Sequence, residues 1–262
     1  MGYAIADGIA RKGLFSKNRI VFFENNLNRI DFLRKKKYFV DNNAINTITK
    51  NKKDIEAIIL AVKPYDLEEA TKLLKNSIPR TTLIISVLAG VKIKDIELHL
   101  NNRLPIVRVM PNTPCQIGKG ISVLAYNKNV NEKRKDLARK IFSSLGKIIE
   151  ANENHLDAVT ALSGSGPAYF CYFIESLTSG GKRLGLSQKV SYDLALQTAI
   201  GTLLLLDKRN LKPEVLRKSV TSPKGTTEAA LQIFKKKDLN KLIFLGLKAA
   251  KDRSVELGKL SK

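Results

Sequence analysis

The chain has 262 residues, of which 44% are hydrophobic and 27% charged, with 16 Gly and 8 Pro. That composition excludes disordered, collagenous and linker-rich classes and supports one or two domains with a buried core. Lys and Arg number 46 against 24 Asp and Glu, a formal charge of +22, which raises nucleic acid or a membrane surface as a partner. The excess is spread, however: residues 1–150 hold 28 basic and 14 acidic side chains, and residues 151–262 hold 18 and 10. Most of the cations are Lys, 33 of 46. There is no Trp, and no basic stretch interleaved with aromatics of the kind a single-strand binder needs. The charge reads as a Lys-rich bias, and no nucleic-acid partner is expected. Cys115 and Cys171 are too few for a disulfide framework and are not in a CxxC pattern, so a reducing cytoplasm is the expected location. His99 and His155 lie far apart without ligand spacing around them, so no metal site is expected. The apolar runs 57–62, 83–91 and 203–206 are too short to span a bilayer, and no membrane partner is expected.

In chain order, the first half alternates strand and helix signals. Ile20–Phe23 is a short apolar run ending at Glu24. Leu27, Ile30 and Leu33 then recur at helical spacing. Tyr38–Val40 reads as a strand. Ala57–Val62 is a continuous apolar run, expected to be a parallel strand covered on both faces. Asp66 is placed to cap a helix over Leu67–Lys75, with Glu68 and Glu69 in its first turn. Thr82–Val87 is a strand, Ile93–Leu100 a helix, Ile106–Val109 a strand running into Met110-Pro-Asn-Thr-Pro114. Ile121–Ala125, Asn131–Leu145 and Lys147–Ile149 continue the alternation. This pitch predicts a mostly parallel sheet with helices on its faces.

The second half is helical almost throughout, over 158–163, 169–184, 192–206, 214–220, 227–234 and 239–257. Val190–Leu206 is apolar round much of its circumference. Such a helix is central in a bundle or buried against another subunit. The boundary between the two halves falls near residue 150, giving a dinucleotide-binding domain over 1–150 and a helical domain over 151–262.

Ligands of an open parallel sheet bind outside the carboxyl ends of its strands. Three loops leave such ends: Ala61-Val-Lys-Pro64, Ser86-Val-Leu-Ala-Gly90 and Val109-Met-Pro-Asn-Thr-Pro114. Gly90 permits close backbone approach, Lys63 offers a cation to a phosphate or ribose, and Asn112 offers neutral donors and acceptors. Each alone is an ordinary turn residue; three in successive positions favour a site. In the second half, Ser163-Gly-Ser-Gly-Pro167 interrupts a helical pattern and reads as a hinge or kink. Val220–Glu228 is a loop with four hydroxyls feeding a helix. Plain capping by a Thr would need only one of them, so the loop reads as an anion receptor for a carboxylate.

Taken together, AVKP (61–64), SVLAGV (86–91), RVMPNTPCQIGKG (108–120), DAVTALSGSGPAYF (157–170) and VTSPKGTTEAAL (220–231) resemble the pyrroline-5-carboxylate reductase family, end to end and in the right order. The resemblance implies an α/β Rossmann N-terminal domain and an all-α C-terminal dimerisation domain. It implies a homodimer, with rings of dimers common in the family. The implied reaction is hydride transfer from NADPH or NADH to the C=N carbon of 1-pyrroline-5-carboxylate, giving L-proline as the last step of its synthesis. The implied cofactor contacts are Ala61, Lys63, Pro64, Ala89, Gly90 and Asn112. The implied substrate contacts are Val220, Ser222, Gly225, Thr226 and Thr227, with Glu153 nearby. Thr227 is assigned the contact to the imine nitrogen, since a hydroxyl accepts from the iminium and then donates to the product amine. No catalytic His or Cys is needed, because hydride chemistry belongs to the cofactor.

Three positions depart from the family pattern. The chain begins Met1-Gly2-Tyr-Ala-Ile, so Gly2 matches the last Gly of a Gly-x-Gly-x-x-Gly loop, and the first strand and first two Gly are missing. A sheet without that central strand is expected to show a gap. The expected cause is a misassigned start, about 6–12 residues short; the alternative is a truncated, noncatalytic homologue that persists through its helical dimer. Lys224 stands at a usual Gly position: strain follows if its backbone is left-handed, whereas an extended backbone would let its ammonium reach the substrate. Glu24 ends the second strand of the pattern, where a carboxylate binds a ribose 2′-hydroxyl and leans toward NADH, while Arg29, Asn25 and Asn26 leave a phosphate, and NADPH, open.

Overall fold

In a computed structural model, the residues described are 1–262 except 42–46, 50–53, 73, 76, 101, 102, 261 and 262, and the Leu260 side chain. The chain forms two compact units, 1–165 with 249–262, and 166–248.

Seven strands organise the first unit: β1 (Val21–Phe23), β2 (Phe39–Asp41), β3 (Ala57–Leu60), β4 (Leu83–Ser86), β5 (Ile106–Met110), β6 (Gly120–Tyr126) and β7 (Gly146–Glu150). They make two sheets. One pairs β1 with β2 in parallel; the other runs in the order β3-β4-β5-β6-β7. Among the described residues no ladder joins the sheets, and the expected gap lies between them. All neighbours in the larger sheet are parallel except β5 and β6, which run antiparallel. The expectation of a mostly parallel sheet holds with that one reversal. It arises because only the short turn Thr113–Ile117, capped by Gly118 at φ 69°, separates β5 from β6, too little for a crossover.

The helices of this unit are α1 (Gly2–Arg11), α2 (Leu27–Lys35), α3 (Leu67–Lys72), α4 (Ile93–His99), α5 (Glu132–Ser143) and α6 (Leu156–Val159). Side chains of β4 and β5 alternate between two cores, as a period of two requires. Leu83, Ile85, Val107 and Val109 pack with Ile5 and Ile9 of α1 and with Ala138, Ile141 and Phe142 of α5. Ile84 and Ile106 pack on the other face with Leu67, Ile93 and Ile96. All four residues of β4 are buried, but three of the four in β3 are only half-buried. The expectation that 57–62 is covered on both faces is therefore only partly met, because β3 is an edge strand at the break between the sheets.

Several boundaries differ from the sequence expectations for local reasons. Asp66 is not an isolated cap: Pro64–Asp66 forms a 3-10 turn that runs into α3. That helix ends at Lys72 rather than Lys75, and residue 73 of the expected span lies outside the described residues. Asn131 caps α5, its side chain accepting from the Arg134 N–H.

The second unit holds α7 (Gly166–Arg183), α8 (Gln188–Arg209), α9 (Pro213–Ser219), α10 (Thr226–Lys236) and the first part of α11 (Leu239–Leu260), whose last turns belong to the first unit. α7 packs along α8, and Gly181 allows this: a Cβ there would stand 2.7 Å from Ser191 Oγ. Few large apolar side chains are covered within this unit. Phe170, Tyr172, Phe173, Leu194, Leu203 and Leu204 are all exposed. Helix α8 is thus apolar round much of its circumference, as expected, yet apart from Ser191 and Ala195 it is exposed or only half-buried within this chain.

Candidate functional site

The register of the large sheet sets the site. Leu60 pairs with Ser86, and Ser86 with Arg108. The parallel strands β3 and β4 therefore end level with one another, and β5 runs two residues further, to Met110. Their exits place Ala61, then Ala89 and Gly90, then Asn112 along one carboxyl edge, as the sequence motifs require. Gly2 opens α1 beside the first exit: a Cβ on Gly2 would lie 3.2 Å from Ala61 Cβ. The Met1 ammonium is pushed below its usual range, by burial first and then by Arg29 and Lys63. Two cations thus converge on the N-terminal end of α1, where the helix dipole already favours an anion. Lys63 is exposed and leads into the 3-10 turn that begins at Pro64.

Gly90 is held at φ +79°, a region open to Gly at little cost. It is also closely packed, since a Cβ would come within 2.7 Å of the Ser254 carbonyl oxygen in α11. Asn112 is fixed from two sides. Its Oδ1 accepts from the Ile121 N–H at 3.0 Å, and its Nδ2 donates to Ser163 Oγ at 3.3 Å. Ser163 sits in a π-helical turn, Thr160–Gly164, that follows α6. The Ser163–Pro167 stretch therefore interrupts the helical pattern, as expected of a hinge or kink, and the division between the two units falls after Ser165. The stretch widens to a π turn, with the Ser165 N–H donating to Thr160 O at 2.8 Å, and α7 begins at Gly166. Gly164 lets the Met110 side chain pack closely there, a Cβ standing 2.3 Å from Met110 Cε. Such π turns recur at functional sites.

Glu24 follows β1 and turns back on its own loop, one carboxylate oxygen accepting from the N–H groups of Asn25 and Asn26, each at 3.1 Å. Glu153 lies in a 3-10 turn of the first unit, where its Oε1 takes Arg108 Nη1 at 3.3 Å and the Ile93 N–H at 2.7 Å.

The hydroxyl loop belongs to the second unit. Thr221 Oγ1 donates to Arg217 O at 2.6 Å, closing α9. Lys224 has φ 58°, so the left-handed alternative holds for this residue. Its N–H donates to Glu228 Oε2 at 2.7 Å. The cap of α10 is Gly225, not a Thr, and it provides no side-chain acceptor. Thr226 and Thr227 then form the first turn, with no cap claiming their N–H groups. Gly225 is required by crowding, a Cβ being 2.4 Å from Ser222 Oγ. Val220 and Ser222 are exposed beside it.

Arg108, Asp157 and Ser254 were not singled out from the sequence, and Ser163 was noted only as the start of a hinge. The signal for Arg108 was present: one charged residue between valines in an apolar strand implies a buried ion partner. Its partners lie 45 and 49 residues away, and no local pattern links them. Among the described residues there is no cluster of His, Cys, Asp or Glu able to hold a metal, and no helix is long and apolar enough to cross a membrane.

Comparison with known proteins agrees with this geometry. A family model described as pyrroline-5-carboxylate reductase dimerisation matches residues 153–257, and one described as NADP oxidoreductase coenzyme F420-dependent matches residues 1–90. The chain is 41% identical to pyrroline-5-carboxylate reductase 1 of Bacillus subtilis over 204 residues, 78% of this chain and 69% of that one. It is 34% identical to the pyrroline-5-carboxylate reductase of Arabidopsis thaliana over 258 residues, 98% of this chain and 92% of the other. A crystal structure of pyrroline carboxylate reductase from Plasmodium falciparum with NADP bound superposes with a TM-score of 0.87 at 31% identity, covering 98% of this chain and 94% of that one. With a continuous row of strand-end loops and relatives that match nearly its whole length, the chain belongs to the pyrroline-5-carboxylate reductase family.

Proposed function

We propose that the protein reduces 1-pyrroline-5-carboxylate to L-proline with NADPH or NADH, and that a catalytic reductase rather than a noncatalytic remnant is the right reading. The observation that carries this is the row of strand-end loops that brings Ala61, Gly90 and Asn112 to the carboxyl edge of the parallel strands β3, β4 and β5. A dinucleotide fits the residues present. The N-terminal end of α1 with Arg29 and Lys63 would hold the pyrophosphate. Ala61, Lys63, Pro64, Ala89, Gly90 and Asn112 would line the rest, with Gly2 letting the backbone approach. When bound, the nicotinamide supplies the hydride.

The chain's own residues have two tasks. One is to hold the imine carbon against the cofactor, which is worth much of the barrier. Val220, Ser222, Gly225, Thr226 and Thr227 take the substrate carboxylate and ring nitrogen, on the free N–H groups and hydroxyls that open α10. The other is to keep a hydrogen-bond partner on the nitrogen through the change from iminium to amine. Thr227 does this as the catalytic residue. Glu153 has its carboxylate engaged by Arg108 and Ile93, so its part is structural support. Glu24, turned onto Asn25 and Asn26, leaves NADPH and NADH both open, with Arg29 as the cation for a 2′-phosphate.

The functional division falls at about residue 150, with cofactor binding over 1–150 and substrate binding and dimerisation over 151–262. The exposed apolar faces of α7 and α8 suit a second copy of the chain, giving a homodimer and rings of dimers. The unpaired Cys115 and Cys171 suit the cytoplasm.

Purified protein is expected to oxidise NAD(P)H only when pyrroline-5-carboxylate is added; no turnover refutes the reading. Thr227→Ala should lower kcat and leave cofactor affinity nearly unchanged, and an equal loss of both would contradict its role. Leu203→Glu should shift the protein toward monomer in sedimentation, and an unchanged mass would show that α8 is not in the interface.

A further inference from the structure

β5 is apolar except at its centre, Ile106-Val-Arg-Val-Met110. The Arg108 side chain is 3% exposed. A buried guanidinium is tolerated only when paired, and here two carboxylates meet it, Glu153 at 3.3 Å and Asp157 at 3.4 Å. Neither carboxylate ends the chain of contacts. Glu153 Oε1 also accepts from the Ile93 N–H at 2.7 Å, and Ile93 opens α4 three residues after Gly90. Asp157 Oδ1 also accepts from Ser254 Oγ at 2.9 Å. Ser254 lies on α11, and its own carbonyl oxygen is one of the atoms packed on Gly90. Gly258, one turn further on, packs on the Gly90 carbonyl. One guanidinium therefore reaches the Gly90 turn from two directions, through the start of α4 and through the end of α11. Along its own strand it leads to Asn112, four residues on.

We propose that Arg108 is a positioning residue for hydride transfer. Through Glu153 and Asp157 it fixes the Gly90 backbone relative to Asn112, so that the two loops accept the nicotinamide in one geometry. Arg108 touches neither cofactor nor substrate. The ion pairs are suited to this because they are directional and because their two carboxylates, both from 153–157, each hold a further segment, Glu153 the Ile93 N–H and Asp157 the Ser254 hydroxyl. A packed apolar residue at 108 would fill the same space without setting the separation of the loops. The proposal rests on the reading that the cofactor lies against Gly90 and Asn112.

The test compares Arg108→Met, Arg108→Lys, Ser254→Ala and Asn112→Ala in steady-state kinetics with NADPH and pyrroline-5-carboxylate, with thermal unfolding alongside. Arg108→Met is expected to lower kcat about a hundredfold, the scale of a misplaced reacting pair, and to leave the KM for the imine within about twofold. Arg108→Lys should recover part of kcat, because it restores the charge without the two-pronged reach. Ser254→Ala, which removes one hydrogen bond and keeps both ion pairs, should raise the KM for NADPH and carries the test if Arg108→Met does not fold. A folded Arg108→Met with lowered melting temperature but unchanged kcat overturns the proposal, as does Ser254→Ala with wild-type kinetics. The cofactor reading is judged separately: Asn112→Ala should raise the KM for NADPH. If it does so while the Arg108 and Ser254 variants behave as wild type, only the positioning role fails; if it does not, both fail.

Discussion

Gly258 lies inside α11, where Ala would ordinarily be the better residue. Helix propensity alone favours Gly258→Ala by about 0.8–1.0 kcal/mol. The tertiary structure opposes this. A Cβ at 258 would stand 2.3 Å from the Gly90 carbonyl oxygen and 3.0 Å from the Gly90 carbonyl carbon. Those atoms are backbone, so no side-chain rotation relieves the contact. To restore ordinary separation, α11 or the Gly90 turn must retreat by about 1 Å. Overpacking of this kind typically costs about 1–3 kcal/mol. Subtracting the propensity gain leaves a net destabilisation of about 1 kcal/mol, or roughly 2–4 °C in melting temperature for a chain of this size. The measurement is urea unfolding at fixed protein concentration, with the slope compared to confirm that only stability has changed. A more stable Gly258→Ala would refute the reasoning, since propensity would then act without the contact with Gly90.

Three further outcomes follow from the structure. Lys224→Gly relieves a left-handed backbone, φ 58°, worth about 1–2 kcal/mol, offset by about 0.5–1 kcal/mol of Gly chain entropy; denaturant unfolding should show a gain of about 0.5 kcal/mol, and a loss would mean the Lys side chain makes a stabilising contact. Tyr38 is buried, and among the described residues its hydroxyl has no hydrogen-bond partner. Burial first, then Asp7 and Tyr3, push its pKa up to about 12. A raised value means the neutral form is stabilised by folding: the contribution is complete below the unfolded value, about 10, and is lost as pH rises toward 12. Tyr38→Phe should therefore be neutral or stabilising at pH 7 and should flatten the alkaline loss of stability, and a marked destabilisation at pH 7 would show that the hydroxyl is satisfied. The Glu150 carboxyl is held below its usual range mainly by Arg139, whose Nε lies 2.5 Å away, with Tyr126 also donating to it. A depressed value contributes stability above the unfolded value and loses it as pH falls through the folded one. The stability difference between wild type and Glu150→Gln should therefore shrink below about pH 4, and a difference independent of pH would exclude the ion pair as its source.

Much of this protein is set by local chemistry. The helix starting at Leu27 follows from Asn26, whose side chain caps it, and from apolar spacing. The strand at 83–86 follows from an unbroken apolar run. The three strand-end loops carry residue types that ordinary turns do not require together, so their placement along one carboxyl edge was legible before any coordinates. The hydroxyl loop at 220–227 was legible for the same reason, although the cap turned out to be Gly225, where the chain passes close to Ser222. Other features depend on residues distant in sequence. Whether Lys224 adopts a left-handed backbone is decided by the turn between α9 and α10. The gap in the sheet was foreseeable, but which strands group on either side of it, β1 with β2 and β3 to β7, is set by pairing between strands. The role of Arg108 depends on carboxylates 45 and 49 residues away, and the restriction at Gly258 on a turn 168 residues earlier in the sequence. Periodicity and turn residues report on neighbours along the chain, where steric and capping forces act. The +22 charge and the length that open the sequence say nothing about either contact. Close packing and buried ion pairs are interactions between segments, and only the folded chain brings their members together.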